Sequence, residues 1–329
     1  MQNTLPSFSP APLLSHHHAQ TMLASLGPRR LFVRARAKAM LDAASDHILN
    51  CQDGVRLSGA YTPSKQGNNN SLVILLHGWE GCITSSYLLS SAASLYGQGH
   101  SVFRLNFRDH GDSHHLNKAL FNSTRITEVV EAVRAIQQQF PHKQVCLAGF
   151  SLGGNFSLRV ASRAEQAGLQ LDKAAAICPL ISPRDTTDDI ENGLWIYHFY
   201  FMRRWKKSLA KKLELFTDYD YAEVLHTSKR LSQLNSYFVP NHTPYSKPEE
   251  YLDAYAVREE TLMAITTDMH ILVADDDPIV QTRWFDVLDK PGHINVQVTS
   301  GGGHCGFIKD WRFNSFADDW LLRHFAFSG

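Results

Sequence analysis

Between Gln144 and Ser162 the sequence QVCLAGFSLGGNFSLRVAS passes from an apolar, β-forming run, through a serine set between glycines, into a helical pattern. The order is strand, sharp turn, helix, and Gly149, Ser151 and Gly153 have the G-x-S-x-G spacing of a nucleophile elbow. Such a turn holds the serine in a strained conformation with Oγ clear of the backbone. Glycines on either side remove side chains where strand and helix approach closely, and the new helix aims its N-terminal N–H groups and positive dipole end at developing negative charge. A glycine-rich turn without chemistry has the same bare pattern; the strand before it and the helix after it decide for the elbow. A phosphate-cradling loop fits less well, since neither Gly-Lys-Ser/Thr nor G-x-G-x-x-G follows.

The rest of the chain supplies the sheet this elbow needs. A chain of 329 residues with 43% hydrophobic content can bury the core of one large α/β domain, or of one domain carrying an insertion. Residues 1–45 are read as an N-terminal arm: a Pro/Ser-rich start, then His16, His17 and His18, then the basic run RRLFVRARAK, expected to be a solvated surface segment with the histidines at the surface or capping a helix. Residues 46–181 form the first part of the core. DHILNCQDGVRLSGAYTP reads as a hairpin turning at Asp53 and Gly54, KQGNNNS as a loop, and SLVILLHG as a strand buried on both faces. YLLSSAASLYGQ reads as helix, SVFRLNF as strand and TRITEVVEAVRAIQQQF as an amphipathic helix stopped by Pro141, followed by the elbow and the strand AAAICPL. Residues 182–262 lose the β/α alternation and read as a helical cap insertion. It returns in 263–329 with the strand HILVADDDPIV, a helix WFDVLD, the strand INVQVTS, the glycines 301–303, His304 and a closing helix. The fold class is therefore α/β, a mostly parallel central sheet flanked by helices, with catalytic residues beyond the carboxyl ends of strands.

Charge and cysteines exclude several classes. Lys+Arg and Asp+Glu both number 32, so no global field draws nucleic acid or an anionic membrane. Cys51, Cys82, Cys146, Cys178 and Cys305 are odd in number and lack C-x-x-C spacing, which argues against a disulfide framework and a zinc site; no metal and no cofactor are expected. No basic-then-apolar leader and no run of about 18 apolar residues occurs, so the expectation is a soluble, cytoplasmic protein.

Three stretches converge on acyl-transfer chemistry. A serine hydroxyl attacks only when a base takes its proton, and an imidazole serves as that base when an acid fixes its tautomer. Behind this kind of elbow the partners follow in the order acid, then histidine, on loops after late strands. Asp277, at the end of ILVADDD before Pro278, and His304, behind its glycines, fit that order; Asp275 and Asp276 are the rivals of Asp277. The expected oxyanion donors are the backbone N–H groups of Leu152 and Trp79. In the cap, LWIYHFYFMRRWKK from Leu194 to Lys207 admits three readings: a helix buried against its neighbours, an apolar acyl channel using Trp195 and Phe199, or a lipid-facing lid with Arg203, Arg204, Lys206 and Lys207 at headgroup level.

HAQT at 18–21, HGWEG at 77–81 with Ser85 and Tyr87, GFSLGGN at 149–155, DDP at 276–278 and GGHCGF at 302–307 together resemble the YheT-like branch of the α/β-hydrolases, which includes the ABHD lipases and the yeast medium-chain ester synthases. The resemblance implies the α/β-hydrolase fold, Ser151 as nucleophile, Asp277 as acid, His304 as base, and short- or medium-chain acyl or lipid esters as substrates. Asp109, where relatives usually place Gly, and Cys82 and Cys305 depart from the pattern, and no physical role for HAQT is legible. The functions expected are carboxylic ester hydrolysis first, acyl transfer to an alcohol or thiol second, and non-catalytic binding of a small ester or lipid third. The expected partner is a small ester or lipid, with peripheral membrane contact through the cap and no nucleic acid; the oligomeric state is not legible.

Overall fold

The continuous apolar runs become strands of one sheet in the computed structural model, which describes residues 7–65 and 70–327. Residues 1–6 of the expected arm, and Gln66 to Asn69 of the expected KQGNNNS loop, lie outside the described residues. The strands are β1 (Ser45–Asn50), β2 (Arg56–Thr62), β3 (Ser71–Leu76), β4 (Ser101–Leu105), β5 (Gln144–Phe150), β6 (Lys173–Ile177), β7 (Asp268–Ala274) and β8 (Ile294–Thr299). Their order across the sheet is β1-β2-β4-β3-β5-β6-β7-β8. Strand β2 runs antiparallel to β1 and β4, and the pairs from β4 through β8 are parallel. The hairpin at the antiparallel edge turns where expected, with Asp53 and Gly54 both at positive φ (55° and 72°).

Every residue of β3 is buried because the sheet is covered on both faces. Val73 and Leu75 point to a layer made by the helices Ser86–Gly97 and Phe316–His324, with Leu88, Leu95, Trp320 and Leu321 packed there. Leu72, Ile74 and Leu76 point the other way, to the helices Ile126–Gln139 and Leu152–Ala161. Each aliphatic side chain buried in this way contributes on the order of 1.5–3 kcal/mol, so the alternation fixes the register of the central strands.

The N-terminal segment departs from its reading as a solvated surface run. Residues His17–Ser25, Arg29–Arg36 and Lys38–Asp42 are helical, and Arg29, Val33, Ala37 and Met40 form a buried stripe. Spacings of four and three put these residues on one helical face, and the stripe was masked by its first member, an arginine. Burial lowers the Arg29 guanidinium to about 10, and Arg29 Nη1 donates to the Ala24 carbonyl at 3.2 Å. The histidine triplet does cap: His16 Nδ1 accepts from the His18 N–H at 3.2 Å. The expected helix WFDVLD shrinks to one turn, Trp284–Val287.

Between β6 and β7 the chain makes the helices Pro183–Asn192, Trp195–Leu215, Ala222–Thr227, Leu231–His242, Pro248–Ala254 and Glu259–Met263. Tyr197, Leu209, Tyr221, Leu234 and Phe238 give them a small core of their own, closed against Ile279 and Val280 of the sheet body. A buried ion pair joins the two parts: Lys212 Nζ lies 2.6 Å from Asp109 Oδ1 and also donates to the carbonyls of His114 and Asn117. Asp109 stands at φ 58°, a left-handed conformation that favours glycine, and its second oxygen accepts from the Phe121 N–H at 2.8 Å.

Candidate active site

Where β5 ends, the backbone reverses at Ser151 (φ 55°, ψ −117°) and enters the helix Leu152–Ala161. Such a conformation costs a non-glycine residue of order 1–3 kcal/mol and persists only where its surroundings impose it. They do so here. A Cβ on Gly149 would overlap the Gly153 carbonyl, and one on Gly153 would overlap the carbonyls of Leu76 and His77. The Ser151 N–H donates to the Ile177 carbonyl at 2.9 Å, tying the turn to β6.

Asp277 and His304 meet across 27 residues. Asp277 Oδ2 accepts from His304 Nδ1 at 2.8 Å, and Asp277 Oδ1 accepts from the N–H groups of Ile279 (2.8 Å) and Val280 (2.9 Å). The two rival aspartates have other partners: Asp276 Oδ1 accepts from the Gly303 N–H and Asp275 Oδ1 from the Gly301 N–H, each at 2.8 Å. Glycines 301–303 all have positive φ, which frees the loop to bring His304 back toward β7. Burial alone would push the His304 imidazole down, but the Asp277 carboxylate, with Cys305 beside it, holds it well above the ordinary histidine range. Burial would likewise raise the Cys305 thiol; the hydrogen bond with Cys178 and the His304 charge reverse this and bring it down to about 6.

Sequence reasoning missed what holds this loop from outside. In the helix His17–Ser25, Thr21 Oγ1 accepts from the His304 N–H at 2.9 Å, and Gln20 clamps Ile308 by donating to its carbonyl (3.0 Å) and accepting from its N–H (2.7 Å). His18 Nδ1 lies 2.7 Å from the Tyr197 hydroxyl of the cap. HAQT therefore joins the histidine loop to the cap.

The turn after β3 faces the serine. Gly78 comes so close that a Cβ on it would lie 3.2 Å from Ser151 Cβ, and its N–H donates to the Tyr87 hydroxyl at 2.9 Å. Two buried histidines brace the turn. His77 Nε2 accepts from the Phe107 N–H (3.2 Å) while Nδ1 lies 2.8 Å from the Gly78 carbonyl; His110 Nε2 accepts from the Glu80 N–H (3.1 Å). Burial drives His77 well below its usual value and His110 to about 4, so both are neutral and each ring has one donor and one acceptor. The backbone N–H groups of Trp79 and Leu152 make no hydrogen bond to another described residue. Trp79 stacks on Phe201 of the cap with ring centroids 5.1 Å apart.

Ser151 and His304 line one cavity of about 890 Å³, together with Gly78, Trp79 and Cys305. Ser151, Leu152 and Trp79 also line a smaller, mostly apolar pocket of about 80 Å³, with Leu180, Ile190 and Trp205. The cap helix Trp195–Leu215 turns Ile196, Tyr197, Tyr200, Phe201 and Arg204 toward the large cavity. Trp195 and Phe199, expected as substrate contacts, are instead 70% and 54% exposed and outside the lining; a helix that presents 197, 200, 201 and 204 to the site must turn 195 and 199 away. Arg204 also leaves the expected headgroup row and points inward, donating from Nε to the Glu80 carbonyl at 2.8 Å. Among the described residues no helix is long and apolar enough to cross a membrane.

Residues 73–312 match the alpha/beta hydrolase family. The chain is 23% identical over 309 residues to "Putative esterase YheT" of Escherichia coli (strain K12), covering 92% of this chain and 87% of that one. It is also 23% identical over 313 residues to an embryogenesis-associated protein of Picea glauca, covering 90% of this chain and 66% of that one. Among solved structures, a Pyrococcus furiosus esterase superposes with a TM-score of 0.55 at 17% identity, over 88% of this chain and 93% of its own. An esterase from Exiguobacterium antarcticum gives 0.53 at 17%, over 84% and 97%. At these identities the superpositions establish the fold, and the YheT-like resemblance read from the motifs is borne out.

Proposed function

The chain belongs to the alpha/beta hydrolase family, and on that premise we propose that it hydrolyses carboxylic esters through Ser151, His304 and Asp277. The observation that carries the reading is a single one: a serine held in a strained elbow opens onto the same cavity as a histidine whose Nδ1 is held by a buried carboxylate at 2.8 Å. With Nδ1–H donated to Asp277, the His304 lone pair is on Nε2, the atom that takes the Ser151 proton as Oγ attacks the acyl carbon. The carbonyl oxygen becomes an oxyanion, and the N–H groups of Leu152 and Trp79, which bond no other described residue, are the donors for it, with the helix dipole behind Leu152 adding to their field. His304 returns the proton to the leaving alcohol, water enters by the same route, and the acid departs.

The two spaces beside Ser151 divide the substrate. The small apolar pocket takes the acyl chain and the large cavity takes the alcohol. That division also supports a second reading, acyl transfer, because a cavity of about 890 Å³ has room for an acceptor alcohol or thiol. Hydrolysis of p-nitrophenyl butyrate by the native chain and by Ser151→Ala tests the proposal: turnover is expected only in the former, and substantial turnover by a folded Ser151→Ala variant overturns it. Product partition between acid and ester in added alcohol decides between water and an acceptor.

A further inference from the structure

Beside the elbow lies a group of side chains that ester hydrolysis does not use. The sulfurs of Cys178 and Cys305 and an imidazole nitrogen of His304 all lie within 4.8 Å of one another, and all three residues are buried. Cys178 follows β6 at φ 45° and Cys305 follows the histidine at φ 58°, so two non-glycine residues are held in left-handed backbone to point their thiols at one place. The thiols' contacts with backbone are long: Cys178 Sγ reaches the Gly303 carbonyl at 3.8 Å, Cys305 Sγ the Ile177 carbonyl at 3.8 Å, and the Cys305 N–H reaches Cys178 Sγ at 3.4 Å. The geometry points to a metal site: we propose that Cys178, Cys305 and His304 bind a thiophilic divalent cation, Zn²⁺ or its analogue Co²⁺, and that occupancy withdraws His304 from ester hydrolysis.

The chemistry of the donors fits. Tetrahedral Zn²⁺ takes thiolate sulfur at about 2.3 Å and imidazole nitrogen at about 2.0 Å, which puts ligand atoms roughly 3.5–3.8 Å apart, so closing a group spread over at most 4.8 Å needs a contraction of no more than about 1.3 Å. The ligating atoms of Cys178, Cys305 and His304 must all be deprotonated, and the protons displaced pass to solvent as the metal binds. Asp277 already stands where a carboxylate stands behind a zinc-bound histidine, holding Nδ1 and orienting the lone pair on Nε2. Cys305 and His304 line the large cavity, so the ion has an entry path and water from the cavity completes the fourth position. The lone pair that would ligate the metal is the one proposed to take the Ser151 proton, so the two uses exclude each other. The inhibitory half of the proposal rests on His304 being the base; the binding half does not.

The test titrates the metal-free full chain with Co²⁺ and follows absorption. A thiolate-to-cobalt charge-transfer band saturating at one ion per chain, displaced by Zn²⁺, is expected, together with loss of ester hydrolysis on adding Zn²⁺ and recovery on adding EDTA. Cys178→Ala should lower Zn²⁺ affinity by more than about a hundredfold, beyond what losing an outer-shell partner costs, and the ester hydrolysis that variant retains should no longer respond to Zn²⁺ at concentrations that silence the native chain. Should that variant misfold, alkylation of the native chain decides: Zn²⁺ should protect both Cys178 and Cys305, read by peptide mass. Binding without a thiolate band, as the surface histidines 16–18 would give, or unprotected thiols, overturns the site. A thiolate band with hydrolysis unaffected leaves the two thiols as ligands and overturns the withdrawal of His304.

Discussion

Thr21→Val replaces a side chain far from Ser151 in sequence with one of nearly the same shape, and removes one oxygen. That oxygen accepts from the His304 N–H at 2.9 Å and donates to the His17 carbonyl at 2.8 Å. The loss leaves a buried N–H without an acceptor, at a cost of about 1–3 kcal/mol. The loop does not melt, because Asp275 and Asp276 still hold Gly301 and Gly303; it shifts, and the cost falls on the position of His304. If that position is what the hydroxyl secures, 1–3 kcal/mol lowers the working population roughly 5- to 150-fold. The expected result is a fall in kcat of that size on p-nitrophenyl butyrate with KM nearly unchanged, while Thr21→Ser, which keeps the oxygen, stays close to native. A Thr21→Val variant with full kcat, or a Thr21→Ser variant equally impaired, would refute the reasoning and leave HAQT as packing alone.

Asp277→Asn should lower kcat by about 10⁴ through the wrong imidazole tautomer, whereas Asp276→Asn, which keeps an oxygen for the Gly303 N–H, should cost far less; initial rates on one ester compare them. His304 must be neutral to act as a base, and its folded value is raised, so kcat/KM should fall as pH drops through a value above 6.5; Cys305→Val removes one support of the imidazolium and should move that limb to lower pH. Phe201→Ala, at the wall shared by both pockets, should shift the acyl-chain optimum measured with p-nitrophenyl esters from acetate to laurate, and Phe199→Ala should leave it unchanged. Lys212→Met strands the buried Asp109 carboxylate and should destabilise the chain by about 3–5 kcal/mol in urea unfolding, most of which Asp109→Gly in the same chain should restore.

The sheet was legible because its central strands are continuous apolar runs and its helices are amphipathic, signals that survive without knowing the neighbours. The elbow was legible for a different reason: the close approach of β5, its helix and β3 admits nothing larger than glycine at 149 and 153, so the constraint is written in the residues themselves. Asp277 could be preferred to Asp275 and Asp276 only by its place before Pro278, since all three are the same residue type and each finds a different partner on the returning loop. Contacts across long sequence separations were illegible. Nothing near Thr21 announces a bond to a backbone 283 residues away, and cysteines 127 residues apart show no spacing from which their approach could be read. The facing of the cap helix failed for a related reason, because aromatics crowd every side of Trp195–Leu215 and only packing against the sheet body chooses which face turns inward.

Covalent labelling with a fluorophosphonate, located by peptide mass, tests the central claim most directly. The account predicts one adduct per chain, on Ser151, slowed by competing esters, absent in Ser151→Ala and strongly slowed in His304→Ala. Labelling of a different residue, or undiminished labelling of the Ser151→Ala chain, would contradict it.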